Sequence, residues 1–169
     1  MGFLSSAESY LLRKAFDEIN NEVDNINRGG CGFFAKHVHD CLVKKGFNPE
    51  LVILVRGEDD VYDAMSHISN NRITDLFRTW WVHVMVKVDG RKPIYIDSHG
   101  YFTDIADHPT FNDCSIVDLP YDMLKRMLGS RYEKRWNCSF NRNDHKKIKK
   151  KLEKHLEISK GIRIFGLSL

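Results

Sequence analysis

Three residues able to do chemistry together stand at Cys31, His83 and Asp97. A thiol that attacks a carbonyl carbon needs a base to take its proton. The base needs an acceptor that fixes its tautomer and stabilises its charged form. Cysteine, histidine and aspartate fill those roles, and each lies where an element can hold it. The cysteine opens a helical pattern in Asn27 to Gly46, NRGGCGFFAKHVHDCLVKKG. Small or apolar residues at Cys31, Phe34, Ala35, Val38, Cys41 and Leu42 have the spacing of one helix face. Cys31 thus falls in the first turn, facing inward, where free N–H groups and the positive end of the helix dipole favour a thiolate. Its backbone N–H is a ready oxyanion donor. Gly29 and Gly30 allow a sharp turn and leave room for a substrate.

His83 and Asp97 sit on the clearest strand pair. Residues 80–88, WWVHVMVKV, alternate Val82, Val84, Val86 and Val88 with Trp81, His83, Met85 and Lys87. Asp89-Gly90 is a turn signal, and Ile94 to Asp97 returns with Pro93 at its start. A short loop centred on Gly90 predicts Val86 opposite Ile94, Val84 opposite Ile96 and His83 opposite Asp97. Directly opposed side chains have Cβ atoms roughly 4.5–5.5 Å apart, within reach of an imidazole–carboxylate hydrogen bond. A one-residue slip would separate them onto opposite faces. Candidate substrate contacts or second oxyanion donors are Asn25, Asn27, Trp81 and His99, and Trp80, Trp81 and Tyr101 are candidate cleft aromatics.

The remaining elements must position these groups. Residues 5–26 carry an apolar stripe from Leu12 to Ile26 behind a Ser5/Glu8 capping box. Gly46 caps the cysteine helix and Pro49 breaks it. Leu51 to Val55 reads as a buried strand, and residues 57–79 as an insertion or lid with a surface His67. Ser98 to Phe102 reads as a turn, Ser115 to Leu119 as a strand and Tyr121 to Leu128 as a helix. Trp136 belongs to the core, Asp144 to Ser159 forms a strong helix, and Ile162 to Leu167 suggests a final strand.

The order of a helix-opening cysteine, a strand histidine and an aspartate on the next strand resembles the transglutaminase-like branch of the papain-like cysteine hydrolase superfamily. Gly30-Cys31 with Ala35, Leu42 and Gly46, and the strand ending Val55-Arg56-Gly57, form the first block. The second is His83-Val84 with Val86, Val88, Gly90, Ile96 and Asp97. Arg28-Gly29-Gly30-Cys31 with Asp97 and Gly100 is also similar to the arylamine N-acetyltransferases. The resemblance implies an α+β fold with a papain-like/transglutaminase-like core, the cysteine helix packed on an antiparallel β-sheet. It implies a cysteine peptidase, amidase, deamidase or transglutaminase-like acyltransferase with a Cys31, His83, Asp97 triad. It departs from the family at Gly30 and Gly32, where many members place an aromatic residue beside the cysteine.

Length bounds the chain to a single domain, 1–169, with its core over 25–102 and a C-terminal helical extension over 120–160. Apolar residues at 42% and charged residues at 29% describe an ordinary globular mix, and a net charge of +3 demands neither nucleic acid nor an anionic membrane. No apolar run reaches transmembrane length, so the expectation is a cytoplasmic protein without a membrane partner. Cys31 and Cys41 lie about three helical turns apart, too far to bridge, and no CxxC spacing occurs.

The expected partner is a protein, peptide or small amide substrate, with no cofactor and no metal. Three rivals stand beside this. His83, Asp97 and His99 are able to ligate zinc, with His37 and His39 near the cysteine helix start. Lys146, Lys147, Lys149, Lys150, Lys151 and Lys154, with Arg142, are able to follow a phosphate backbone or engage an acidic partner. A solvated outer face accounts for them more simply, so nucleic acid is not favoured. A non-catalytic binding protein on the same scaffold is the third.

Overall fold

A computed structural model describes residues 14, 16–23, 26, 29–44, 46–79, 81–89, 92–136 and 141–158. Five antiparallel strands form one sheet: β1 (Pro49–Val55), β2 (Trp81–Val88), β3 (Ile94–Asp97), β4 (Gly100–Phe102) and β5 (Ser115–Asp118). Their order is β4-β3-β2-β1-β5, so the valine-rich strand β2 lies at the centre. Helix α1 (residues 16–22) precedes the cysteine helix α2 (Cys31–Lys44). Helices α3 (Glu58–Ser69) and α4 (Ile73–Leu76) follow β1, and α5 (Tyr121–Met127) and α6 (Arg142–Ile158) close the chain.

The α+β architecture agrees with the sequence: α2 packs on the antiparallel sheet. Phe34, Ala35, Val38 and Leu42 of α2 meet Ile53, Val55, Val84, Val86 and Ile96 on one sheet face. Alternation along each strand sends the other set of side chains to the opposite face. There Val52, Leu54, Met85, Tyr95 and Cys114 form a second cluster, covered by Phe102, Ile105 and Phe111. Helix α2 ends in a Schellman-type cap: Gly46 has φ +85°, its N–H donates to Val43 and the Phe47 N–H donates to Leu42.

Several expectations change. The hairpin loop is longer than a turn centred on Gly90, so Val86 faces Ile96 and Val88 faces Ile94. His83 is therefore not directly opposite Asp97. Pro49 opens β1, and Gly100–Phe102 is a strand rather than part of a turn. The stretch 57–79 is no lid: Ala64, Ile73 and Leu76 are buried in the main core. His67 is half-buried rather than on the surface. The Ser5/Glu8 capping box and the strand 162–167 lie outside the described residues. Among the described residues no helix is long and apolar enough to cross a membrane.

Candidate metal centre

Asp97 closes β3, and its two carboxylate oxygens organise the loop behind it. Oδ1 accepts the backbone N–H of His99 at 2.7 Å and of Gly100 at 3.2 Å, an Asx-type turn into β4. Gly100 has φ +147°, a value that side-chain-bearing residues rarely adopt. Oδ2 is the meeting point of three imidazoles. His83 Nε2 lies 2.7 Å away, His108 Nε2 2.9 Å and His99 Nδ1 3.1 Å. One ligand atom from each of the four residues falls within 4.8 Å of all the others.

Three separate elements bring the histidines there. His83 projects from β2 on the same side as Met85, towards the loop-covered face. His99 sits in the β3–β4 turn. His108 follows a short 3₁₀ turn (Ile105–Asp107) capped by the Asp104 side chain. Its Nδ1 accepts the backbone N–H groups of Thr110 and Phe111, each at 3.1 Å. That leaves its proton on Nε2, donated to Asp97. The Phe111 ring stacks on His83 with centroids 4.7 Å apart. His83, Asp97 and His108 are almost fully buried, while the His99 side chain is 28% exposed and marks the open side of the cluster.

Electrostatics follow from this crowding. Burial raises the Asp97 carboxyl, but the hydrogen bonds from His108, His83 and His99 outweigh it and hold the group well below the usual carboxylate range. Burial pushes the His83 imidazole down. The Cys31 sulfur and the Asp97 carboxylate outweigh that and hold it up at about 9.

The structure brings Cys31, His83 and Asp97 to one neighbourhood: Cys31, at the start of α2, lies near enough to His83 to raise its imidazole electrostatically. The thiol-triad mechanism is nevertheless corrected. A triad reserves its aspartate for one histidine, whose ring must serve both thiol and leaving group. Here Asp97 is shared by three imidazoles in a His₃Asp cluster, and His83 is stacked under Phe111. His83 is 3% exposed and Cys31 only 7%. The expectation of a cysteine peptidase, amidase or acyltransferase gives way to that cluster, and with it the resemblance to the papain-like, transglutaminase-like and arylamine N-acetyltransferase families. The four donors of the cluster are of the types that ligate transition metals.

Among the other sequence candidates, Asn25, Asn27 and Trp80 lie outside the described residues. Trp81 packs edge-on against Trp136 at 5.4 Å, within the aromatic group around Phe77. His99 belongs to the cluster. His37 and His39 sit elsewhere: His37 meets His145 of α6, and His39 stacks on Tyr121. His108 was not singled out from the sequence. It stands alone before Pro109, with no ligand spacing to mark it.

Comparison of the chain with protein-family models, with curated proteins and with solved structures gives no match.

Proposed function

We propose that this protein binds a divalent first-row transition metal ion, with His83, Asp97 and His99 as its ligands. The observation that carries this is the convergence of three ring nitrogens on one buried carboxylate oxygen. Three N–H donors on a single oxygen exceed its two lone pairs. An ion that accepts lone pairs from Asp97, His83 and His99 relieves that crowding and releases protons as it binds. Imidazole with carboxylate suits zinc and its neighbours rather than calcium or magnesium, which prefer all-oxygen shells. His108 is assigned behind the carboxylate. Its Nδ1 is occupied by two amide donors, so its Nε2 keeps a proton and orients Asp97, as outer partners of ligands commonly do.

Cobalt(II) titration of chelator-treated protein tests this assignment. One equivalent is expected to bind and give visible ligand-field absorption, lost in His83→Ala and His99→Ala. His108→Gln retains a donor for Asp97 and is expected to keep cobalt. His108→Ala should weaken binding roughly tenfold. Failure of the wild-type protein to hold cobalt would overturn the proposal. Loss in His108→Gln as complete as in His83→Ala would move His108 into the ligand set.

A further inference from the structure

Helix α6 (Arg142–Ile158) holds seven Lys and Arg residues against three Asp and Glu, a net +4. The whole chain is +3, so everything outside this helix is net −1. The positive charge of the protein is thus concentrated in one element. The helix is also fixed about its axis. Ile148 and Leu152 are buried in the main core. Lys151 bonds Glu18 at 2.8 Å and Glu22 at 2.7 Å, and Lys147 donates to the Glu22 carbonyl at 3.1 Å. Lys149 lies 3.9 Å from Glu153.

Those contacts leave four cations over. Arg142, Lys146, Lys150 and Lys154 are exposed and form no ion pair among the described residues. They recur every four residues, so they make a ridge with steps of about 6 Å and a length of about 18 Å. A ridge of regularly spaced, unpaired cations complements a polyanion whose charges also repeat at short, even intervals. An acidic helix repeats its charges at similar steps, so polyglutamate enters the test as the rival polyanion. The lysines flank no exposed aromatic of α6 on which bases stack, so the contact is to backbone and not to base edges.

We infer that α6 is a sequence-independent docking ridge for the phosphodiester backbone of nucleic acid, formed by Arg142, Lys146, Lys150 and Lys154. Four phosphate contacts imply a log–log salt slope of about −3.6 on duplex DNA, roughly a 100-fold loss of affinity between 50 and 200 mM salt. DNA and RNA share the contacted group, so both enter the test.

Fluorescence anisotropy of the full chain with labelled 20-base-pair DNA and RNA duplexes, over a potassium chloride series, measures this. The variant Arg142→Gln/Lys146→Gln/Lys150→Gln/Lys154→Gln is expected to lose at least tenfold in affinity and most of the salt slope. Its circular dichroism should match wild type, because these side chains are exposed. The control Arg72→Gln/Lys92→Gln/Arg131→Gln/Lys134→Gln removes equal charge from other exposed sites and is expected to bind like wild type. Binding to one duplex class but not the other identifies the nucleic acid and supports the ridge. The inference is overturned if the ridge variant binds like wild type, or if the control loses as much. It is equally overturned if wild type ignores both duplexes or prefers phosphatidylserine vesicles or polyglutamate.

Discussion

His83 Nε2 and Asp97 Oδ2 stand 2.7 Å apart although the two residues are not partners across β2 and β3. With Val86 facing Ile96, Asp97 falls opposite Met85, and His83 is its diagonal neighbour. The hairpin register differs by two residues from the one the turn signal predicts. A shift of two preserves the face, whereas a shift of one reverses it. Diagonal neighbours lie about 7–8 Å apart, a gap that an imidazole and a carboxylate close together.

Asp97→Asn tests how much this oxygen holds together. It keeps the shape but removes the charge that three imidazoles face, and it turns one acceptor into a donor. A loss of about 3 kcal/mol or more in chemical denaturation is expected, the usual scale for breaking a buried charged pair. A loss below about 1 kcal/mol would show that the cluster does not depend on the carboxylate.

Metal binding to the folded chain alone stabilises it by mass action. At a free ion concentration 100-fold above Kd the gain is about 2.7 kcal/mol. For a chain of this size that corresponds to a rise in Tm of about 5–10 °C. Thermal unfolding with and without zinc measures it, and His99→Ala, at the open edge of the cluster, is expected to abolish the rise. An equal rise in His99→Ala would place the ion elsewhere.

Gly32 follows the cysteine because Trp136 fills the space a side chain would take. A Cβ at Gly32 would lie 2.4 and 2.6 Å from two indole carbons and 3.2 Å from Leu128. The indole cannot easily retreat, since its Nε1 donates to the Met127 carbonyl at 2.7 Å. Gly32→Ala is therefore expected to destabilise the protein by about 1–3 kcal/mol. An unchanged denaturation midpoint would contradict this packing.

His37 gives the fold an acid sensitivity. Burial, with the neighbouring His145 imidazole, lowers it from 6.5 to about 4. Above pH 6.5 it is neutral in both folded and unfolded chains and full stability is present. As pH falls from 6.5 to about 4 the unfolded chain takes up a proton that the folded chain does not. Stability is lost over that window at no more than about 1.4 kcal/mol per unit. Denaturation at pH 7 and pH 5 in the presence of a chelator, comparing wild type with His37→Gln, checks the sign: the variant should lose less. An identical loss would contradict it.

The fold was legible where local pattern and burial agree. Val82, Val84, Val86 and Val88 mark the central strand, and Cys31 to Leu42 mark the helix on it. The hairpin was placed correctly but misregistered, because Asp89-Gly90 signals a turn without fixing the length of the loop. Gly100–Phe102 is too short for alternation to show. At the site, Cys31, His83, Asp97 and His99 were visible as chemistry-bearing residues. His83, Asp97 and His99 also group in the sequence as a zinc set, but the fourth member does not show, because His108 reaches Asp97 through a tertiary fold of the 103–114 segment. Without His108 the aspartate looks like the third member of a triad. With it, the aspartate is the hub of a cluster.

X-ray absorption spectroscopy of the zinc-loaded protein counts the ligands of the bound ion by element and distance. A His83, Asp97 and His99 site is expected to show one retained zinc with nitrogen and oxygen neighbours at about 2.0–2.2 Å and no sulfur. A sulfur neighbour at about 2.3 Å, or a protein that retains no zinc, would contradict it.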